Sequence, residues 1–358
     1  MEYDLYKYYN KVALEQYSAE SSDAILLNSI NSPEYTILIP TYKRDDLLKV
    51  TISSALNQNQ SLEYEILIID NDPLHNEKDI KGILKGMDLK RISYYKNKKN
   101  IGGTANWNLG SLLSRGKYIS MIHDDDILSP FFLESVDKIV KCNIKADIIG
   151  VNYLVFCSNE IPSFKREEEI KYHMITKKDF FFGRRINIAG MTYKKSMFLR
   201  LTGFNEEFLP GIDTAFIFRG LINNGIVVNI DNILAGYRID NNGSLSCMNE
   251  IYYFEERLRK NIAKYENFAK IWMYFFDESF LYRYICGGNK YWNTSINYLD
   301  IFKEMDLKKP KCFSLRIKIM SLLLKIESKC EKWHRIYYEG GFMEVLKSMR
   351  LKLSHSKR

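Results

Sequence analysis

The chain has 358 residues, room for about two domains, and 46% of them are hydrophobic and 27% charged. That balance excludes a disordered chain, and a core of this size closes without disulfide or metal staples. Lys and Arg outnumber Asp and Glu by 52 to 44, a formal charge of +8, and only 7 prolines exclude a Pro-rich stalk.

Residues 1–33 read as an N-terminal appendage, helical at first and then rich in Ser and Asn as far as Pro33. Met1 to Asn10 is polar, which is not the pattern of a secretory signal. Tyr35–Pro40 is a short apolar, β-rich run stopped by proline. Asp45–Gln58 carries Leu47, Leu48, Ile52, Ala55 and Leu56 at helical spacing, with Asp45 placed to cap it. A second buried strand, Tyr64–Ile69, closes at the turn Asp70–Pro73. A helix around Lys78–Lys85 leads to a third strand, Arg91–Tyr95. After a Gly- and Asn-rich turn, Thr104–Ser114 reads as a helix. Lys117–Ile122 reads as a fourth strand, ending at His123 and the triplet Asp124, Asp125, Asp126.

Strands alternating with helices predict an α/β domain with a mainly parallel sheet covered on both faces. Such sheets bind ligands beyond the carboxyl ends of their strands. Polar residues fall at those ends: Thr41, Asp70 and Asp72, Asn100, and the Asp triplet. From Ile251 the pattern turns helical, aromatic and basic, without clear strands. This predicts a domain over 34–250 and a helical region over 251–358.

The six cysteines show no C-x-x-C pair and read as reduced thiols of a cytoplasmic protein. No apolar stretch approaches 18 residues, so no transmembrane helix is expected. Residues 307–358 hold 14 Lys and Arg against 4 Asp and Glu, leaving the other 306 residues with 38 against 40. The basic character therefore belongs to the tail. It reads either as a solvated helical face or as a surface for phosphate, including an anionic membrane.

Three adjacent carboxylates after a buried strand repel one another at low dielectric. A hard divalent cation, Mg²⁺ or Mn²⁺, relieves that repulsion through carboxylate oxygens and takes its other ligands from water and phosphate. Alternate residues of an extended segment share a face, which would put Asp124 and Asp126 on one site. The other reading is an acidic turn before a helix starting near Pro130. For His123 packing, or support of a residue that holds the metal, is favoured over ligation.

Several segments resemble family 2 glycosyltransferases. Tyr35–Arg44 is similar to that family's opening strand and loop, and Glu65–Asp72 to its second strand with an acidic turn. Asn100–Gly110 resembles its Asn-x-Gly segment, Arg115–Asp126 the strand into its Asp-x-Asp motif, and Gly203–Asp213 its acceptor-side segment. The resemblance covers roughly residues 34–246 and implies the GT-A nucleotide-sugar fold and metal-dependent inverting transfer, in the manner of bacterial surface-polysaccharide enzymes. It implies that Pro40, Thr41 and Arg44 line the nucleotide loop. Asp70 would meet the base, usually uracil, with Asp72 in support. Asn100, Gly102 and Asn108 would form the floor, and Asp124 would meet the ribose or metal. Asp125 would lie near the sugar diphosphate, Asp126 would ligate Mn²⁺ or Mg²⁺, and Asp213 would be the general base. Departures are Ile212 where the family often has Glu, Asn205 for Asp, Trp107 for Arg, and Asp240 for a His that assists the metal.

Asp213 also reads as a simple helix cap, and Glu206 and Glu207 compete for the base role. The expected partners are a UDP-linked donor and a saccharide acceptor, with a polyprenyl-diphosphate-linked acceptor at the inner membrane face as a further expectation. Metal-dependent nucleotidyl transfer is an alternative that lacks a Gly-rich phosphate loop. Nucleic-acid binding through the tail lacks any recognised RNA-binding or zinc pattern, and no nucleic acid is expected.

Overall fold

The computed structural model describes residues 4–6, 14, 17, 22–142, 144–157, 160–183, 186–240, 243–310 and 312–325. The chain divides into two compact units that meet between Tyr265 and Glu266.

The first unit begins its sheet with β1 (Ser22–Leu26) and β2 (Tyr35–Thr41). Helix α1 (Asp45–Leu56), β3 (Tyr64–Asp70), α2 (Glu77–Ile83) and β4 (Ile92–Asn97) follow. Then come α3 (Gly103–Leu113), β5 (Tyr118–Met121), the short β6 (Ile127–Leu128) and α4 (Phe132–Lys141). The second half adds β7 (Ile148–Phe156), β8 (Tyr172–Met174), α5 (Lys177–Phe181) and β9 (Met191–Lys194). It closes with α6 (Lys195–Arg200), α7 (Ile212–Ile222), β10 (Val227–Arg238) and α8 (Met248–Tyr265).

Every residue of β2 and β3 is buried, as their unbroken apolar runs require of strands covered on both faces. The sheet order is β1-β4-β3-β2-β5-β9-β7-β10-β6, with β8 beside β10. β4, β3, β2 and β5 run parallel, as do β7 and β10. β9 lies antiparallel between the two parallel sets, so the sheet is mixed.

The appendage reading of 1–33 needs correction at β1. Ser22–Leu26 pairs antiparallel with β4 and is an edge strand of the main sheet. Three of its five residues are exposed, and this leaves no apolar run to read. Asp45 is the first helical residue of α1 and not its cap; Arg44 holds the cap position. Tyr252, Phe254, Leu258 and Ile262 of α8 are buried, and this helix belongs to the first unit. The break therefore falls after residue 265, where the aromatic pattern alone suggested 250.

The second unit contains α9 (Asn267–Trp292), kinked at Phe276, α10 (Tyr298–Glu304) and a helix over 313–325. Tyr282, Tyr298 and Phe313 pack ring against ring, with centroids 4.7 and 5.3 Å from Tyr282. Among the described residues, no helix is long and apolar enough to cross a membrane. The basic tail beyond residue 325 lies outside the described residues.

Candidate active site

β2, β3 and β5 end side by side, and the polar residues sit on and just beyond those ends. Thr41 closes β2 and donates its hydroxyl to Asp124 Oδ2 at 2.8 Å. The Tyr42 amide donates to the same oxygen at 3.3 Å, and Arg44 donates to Asp124 Oδ1 at 3.3 Å while also pairing with Asp125. Burial pushes the Asp124 carboxyl above its usual pKa, against the Thr41 bond and the Arg44 charge. Pro40 is buried within β2 opposite Ile69.

The segment after β5 is a tight turn and not an extended strand. The Asp126 amide donates to the His123 carbonyl at 3.2 Å, the bond that closes a four-residue turn. The expected face shared by Asp124 and Asp126 is therefore not formed. Asp124 goes to Thr41 and Arg44, and the ligand atoms that converge, within 4.8 Å of one another, come from His123, Asp125 and Asp126.

Long-range contacts hold this turn rigid. Thr51 of α1 donates to the Asp126 carbonyl at 2.7 Å, and Gln58 bonds the Ser129 carbonyl and Leu133 amide. At the end of β10, the Arg238 amide donates to Asp126 Oδ1 at 2.9 Å and Arg238 Nε to the Asp125 carbonyl at 2.8 Å. Asp126 is 0% exposed, and its Oδ2 has no hydrogen-bond donor. Burial, then the charge of Asp125, drives its pKa well above the usual carboxylate value. An orphaned buried carboxylate oxygen is costly unless a cation or a proton meets it. The donor set of two carboxylates and an imidazole fits a divalent metal. Asp240 is not in the converging group; it bonds the Cys157 thiol and raises that thiol's pKa.

Beside the triplet, Lys43–Leu47 and His75 line a cleft of about 470 Å³. Asp70 is 0% exposed and does not line it. Its Oδ2 accepts from Tyr94 Oη at 2.7 Å and lies 2.6 Å from His75 Nδ1, and its Oδ1 accepts from the Asp72 amide at 2.9 Å. His75 Nε2 reaches Asp45 at 3.2 Å. Burial opposes charge on His75, but Asp70, with Asp45 and Asp72, holds its pKa above the ordinary value. The turn after β3 folds His75 back onto Asp70, a pairing that spacing along the chain does not reveal. Asp72 is buried and accepts from the Leu74 amide at 3.0 Å.

Asn100 Oδ1 accepts from Asn71 Nδ2 and from the Gly102 amide, both at 2.9 Å. Gly102, at φ +84°, caps α3 in a conformation that only glycine adopts easily. These two residues thus shape the loop between β4 and α3, which Asn71 ties to the end of β3. Asn108 departs from its expected place on the nucleotide floor. It is 0% exposed, donates to the Phe204 carbonyl and accepts from the Phe204 amide, both at 2.8 Å. Its two amide atoms clamp the turn at Gly203, whose φ is +78° and where a Cβ would meet Asn108 Oδ1 at 2.5 Å.

That clamp ties the Gly203–Asp213 segment to α3. Phe204 packs edge-on against Trp107 at 5.5 Å, and Trp107 lies 5.3 Å from the His123 ring at a 31° tilt. Asp213 follows in the first turn of α7, half-buried, behind Gly211. A Cβ on Gly211 would lie 2.2 Å from the Phe254 ring of α8.

Residues 36–201 match the model of glycosyl transferase family 2. An uncharacterised glycosyltransferase of Methanocaldococcus jannaschii is 28% identical over 270 residues, spanning 73% of this chain and 91% of the relative. A GalNAc(5)-diNAcBac-PP-undecaprenol β-1,3-glucosyltransferase of Campylobacter jejuni is 28% identical over 189 residues, 52% of this chain and 59% of that one. The structure of S. aureus TarS 1–349 in complex with UDP-GlcNAc superposes with a TM-score of 0.51 at 12% identity, covering 72% and 73% of the two chains. That likeness concerns the fold.

Proposed function

The chain is a family 2 glycosyltransferase, and from that premise we infer that it moves a sugar from a UDP-linked donor to a saccharide acceptor of a surface polysaccharide, with inversion at the anomeric carbon. The observation that carries this reading is the buried Asp126 oxygen without a donor, beside Asp125 and His123 at the strand ends. A Mn²⁺ or Mg²⁺ ion held there by Asp125 and Asp126 would neutralise the diphosphate leaving group. Arg44, which lines the cleft, and Thr41 hold Asp124, which would meet the donor's ribose. His75, braced by Asp70 and backed by Asp72, stands where the base enters. Asn100 and Gly102 shape the adjoining loop. Asp213 takes the proton of the acceptor hydroxyl as that oxygen bonds to the anomeric carbon and the bond to the UDP oxygen breaks.

The test is to supply the full chain with a panel of UDP- and GDP-sugars and either metal. One UDP-sugar is expected to release UDP and to raise the melting temperature by mass action. Release of pyrophosphate would instead mean nucleotidyl transfer. Neither product, with no thermal shift from any donor, would dismiss the donor site.

A lipid-linked acceptor fits the Campylobacter relative, whose name carries an undecaprenol diphosphate. The helix over 313–325 supports docking at an anionic membrane face. Leu315, Ile319, Leu322 and Leu323 are exposed on it, with Lys318 and Lys325 exposed among them. Replacing Leu315, Ile319 and Leu322 together by Ser should cut co-flotation with phosphatidylglycerol vesicles about tenfold or more, through lost apolar burial. Unchanged flotation would remove the membrane from the reading.

A further inference from the structure

The converging group at the strand ends contains an imidazole as well as two carboxylates. His123 Nδ1 lies 4.0 Å from the donorless Oδ2 of Asp126. Ligands bound at about 2.1 Å to one ion stand at most about 4.2 Å apart, so that separation admits an ion between them. His123 Nε2 is also buried without a hydrogen-bond partner. The Trp107 ring packs beside the imidazole, with centroids 5.3 Å apart at a 31° tilt. Asp124, the next residue, is engaged by Thr41, Tyr42 and Arg44, so it does not compete for the same position.

We propose that His123 supplies a nitrogen ligand to the divalent cation held by Asp125 and Asp126, and that this sets the metal preference of the site. A set of one imidazole and two carboxylates favours Co²⁺ and Mn²⁺ over Mg²⁺, because Mg²⁺ takes oxygen ligands and gains least from nitrogen. The turn from His123 to Asp126 makes this possible by folding the first and fourth residues toward each other. The proposal rests on the metal-dependent donor reading above and assigns the cation's selectivity to a residue outside the Asp triplet.

The test uses Mn²⁺ on the full chain at a pH where free imidazole is neutral, alone and with UDP. Pulsed electron paramagnetic resonance of bound Mn²⁺ is expected to show coupling to a ¹⁴N nucleus, and His123→Gln is expected to lose it. In His123→Asp, the ratio of Mn²⁺ to Mg²⁺ affinity, measured by calorimetry, should fall about tenfold or more. Bound Mn²⁺ without nitrogen coupling in the unaltered chain overturns the proposal while leaving the donor reading intact. So does an unchanged metal ratio in His123→Asp. Absence of any Mn²⁺ binding, with or without UDP, overturns it too. Failure of the donor reading shows separately, as UDP that does not bind. The spectrum of the unaltered chain keeps the test decisive should either variant fail to fold.

Discussion

Asp126→Asn is expected to lower glycosyl transfer by about a thousandfold, roughly 4 kcal/mol of transition-state stabilisation, while leaving the protein as stable as before or more so. The two effects have one cause. The carboxylate is 0% exposed, one oxygen accepts from the Arg238 amide at 2.9 Å, and the other has no donor. Burial and the neighbouring Asp125 charge both disfavour its ionised form, so the fold carries a cost there that a bound cation or a proton relieves. Asparagine keeps the acceptor for Arg238 and removes the charge. It also removes the anionic oxygen that the proposed metal would use. Steady-state rates with the best UDP-sugar, set beside thermal melts in metal-free buffer, measure both consequences. A melting temperature that drops sharply together with activity would assign Asp126 to folding and not to the reaction.

Asp213→Asn is expected to lower kcat by about 10² to 10⁴-fold, the usual contribution of a positioned base, with donor affinity unchanged. Asp213 sits in the first turn of α7, beyond the segment that Asn108 clamps at Phe204. Through Phe204 and Trp107 that segment reaches the His123 ring, which brings it against the turn that carries Asp125 and Asp126. Glu206 and Glu207 lie on an exposed turn of the same segment. Their replacement by Gln should change kcat by no more than a few-fold, about the scale of a surface charge on a nearby reaction. A larger loss in either Glu variant than in Asp213→Asn would move the base to that residue. UDP binding in all three variants separates loss of chemistry from loss of the donor site.

The first four strands of the parallel half were legible because their side chains are buried on both faces. Tyr35–Thr41 and Tyr64–Asp70 have no exposed position, and an apolar run marks that arrangement directly. β1 was illegible for the opposite reason, being an edge strand with mostly exposed side chains. Helix α8 looked like the start of a separate region because its aromatic residues name no partner. The structure shows that they cover the first unit, with Phe254 against Gly211.

What the sequence determined by itself is the placement of acidic residues at the tips of buried strands, since hydrophobic patterning and strand length decide where a parallel strand stops. What only the tertiary structure decided is which of those residues meet. A turn closed by one backbone hydrogen bond sends Asp124 to Arg44 and turns His123 toward Asp126. Arg238, 112 residues further along, and Trp107, on a different helix, complete the surroundings of that turn. Local spacing carries no information on such partners. They are set by how the sheet brings strand ends together and by the cost of leaving a buried charge without one.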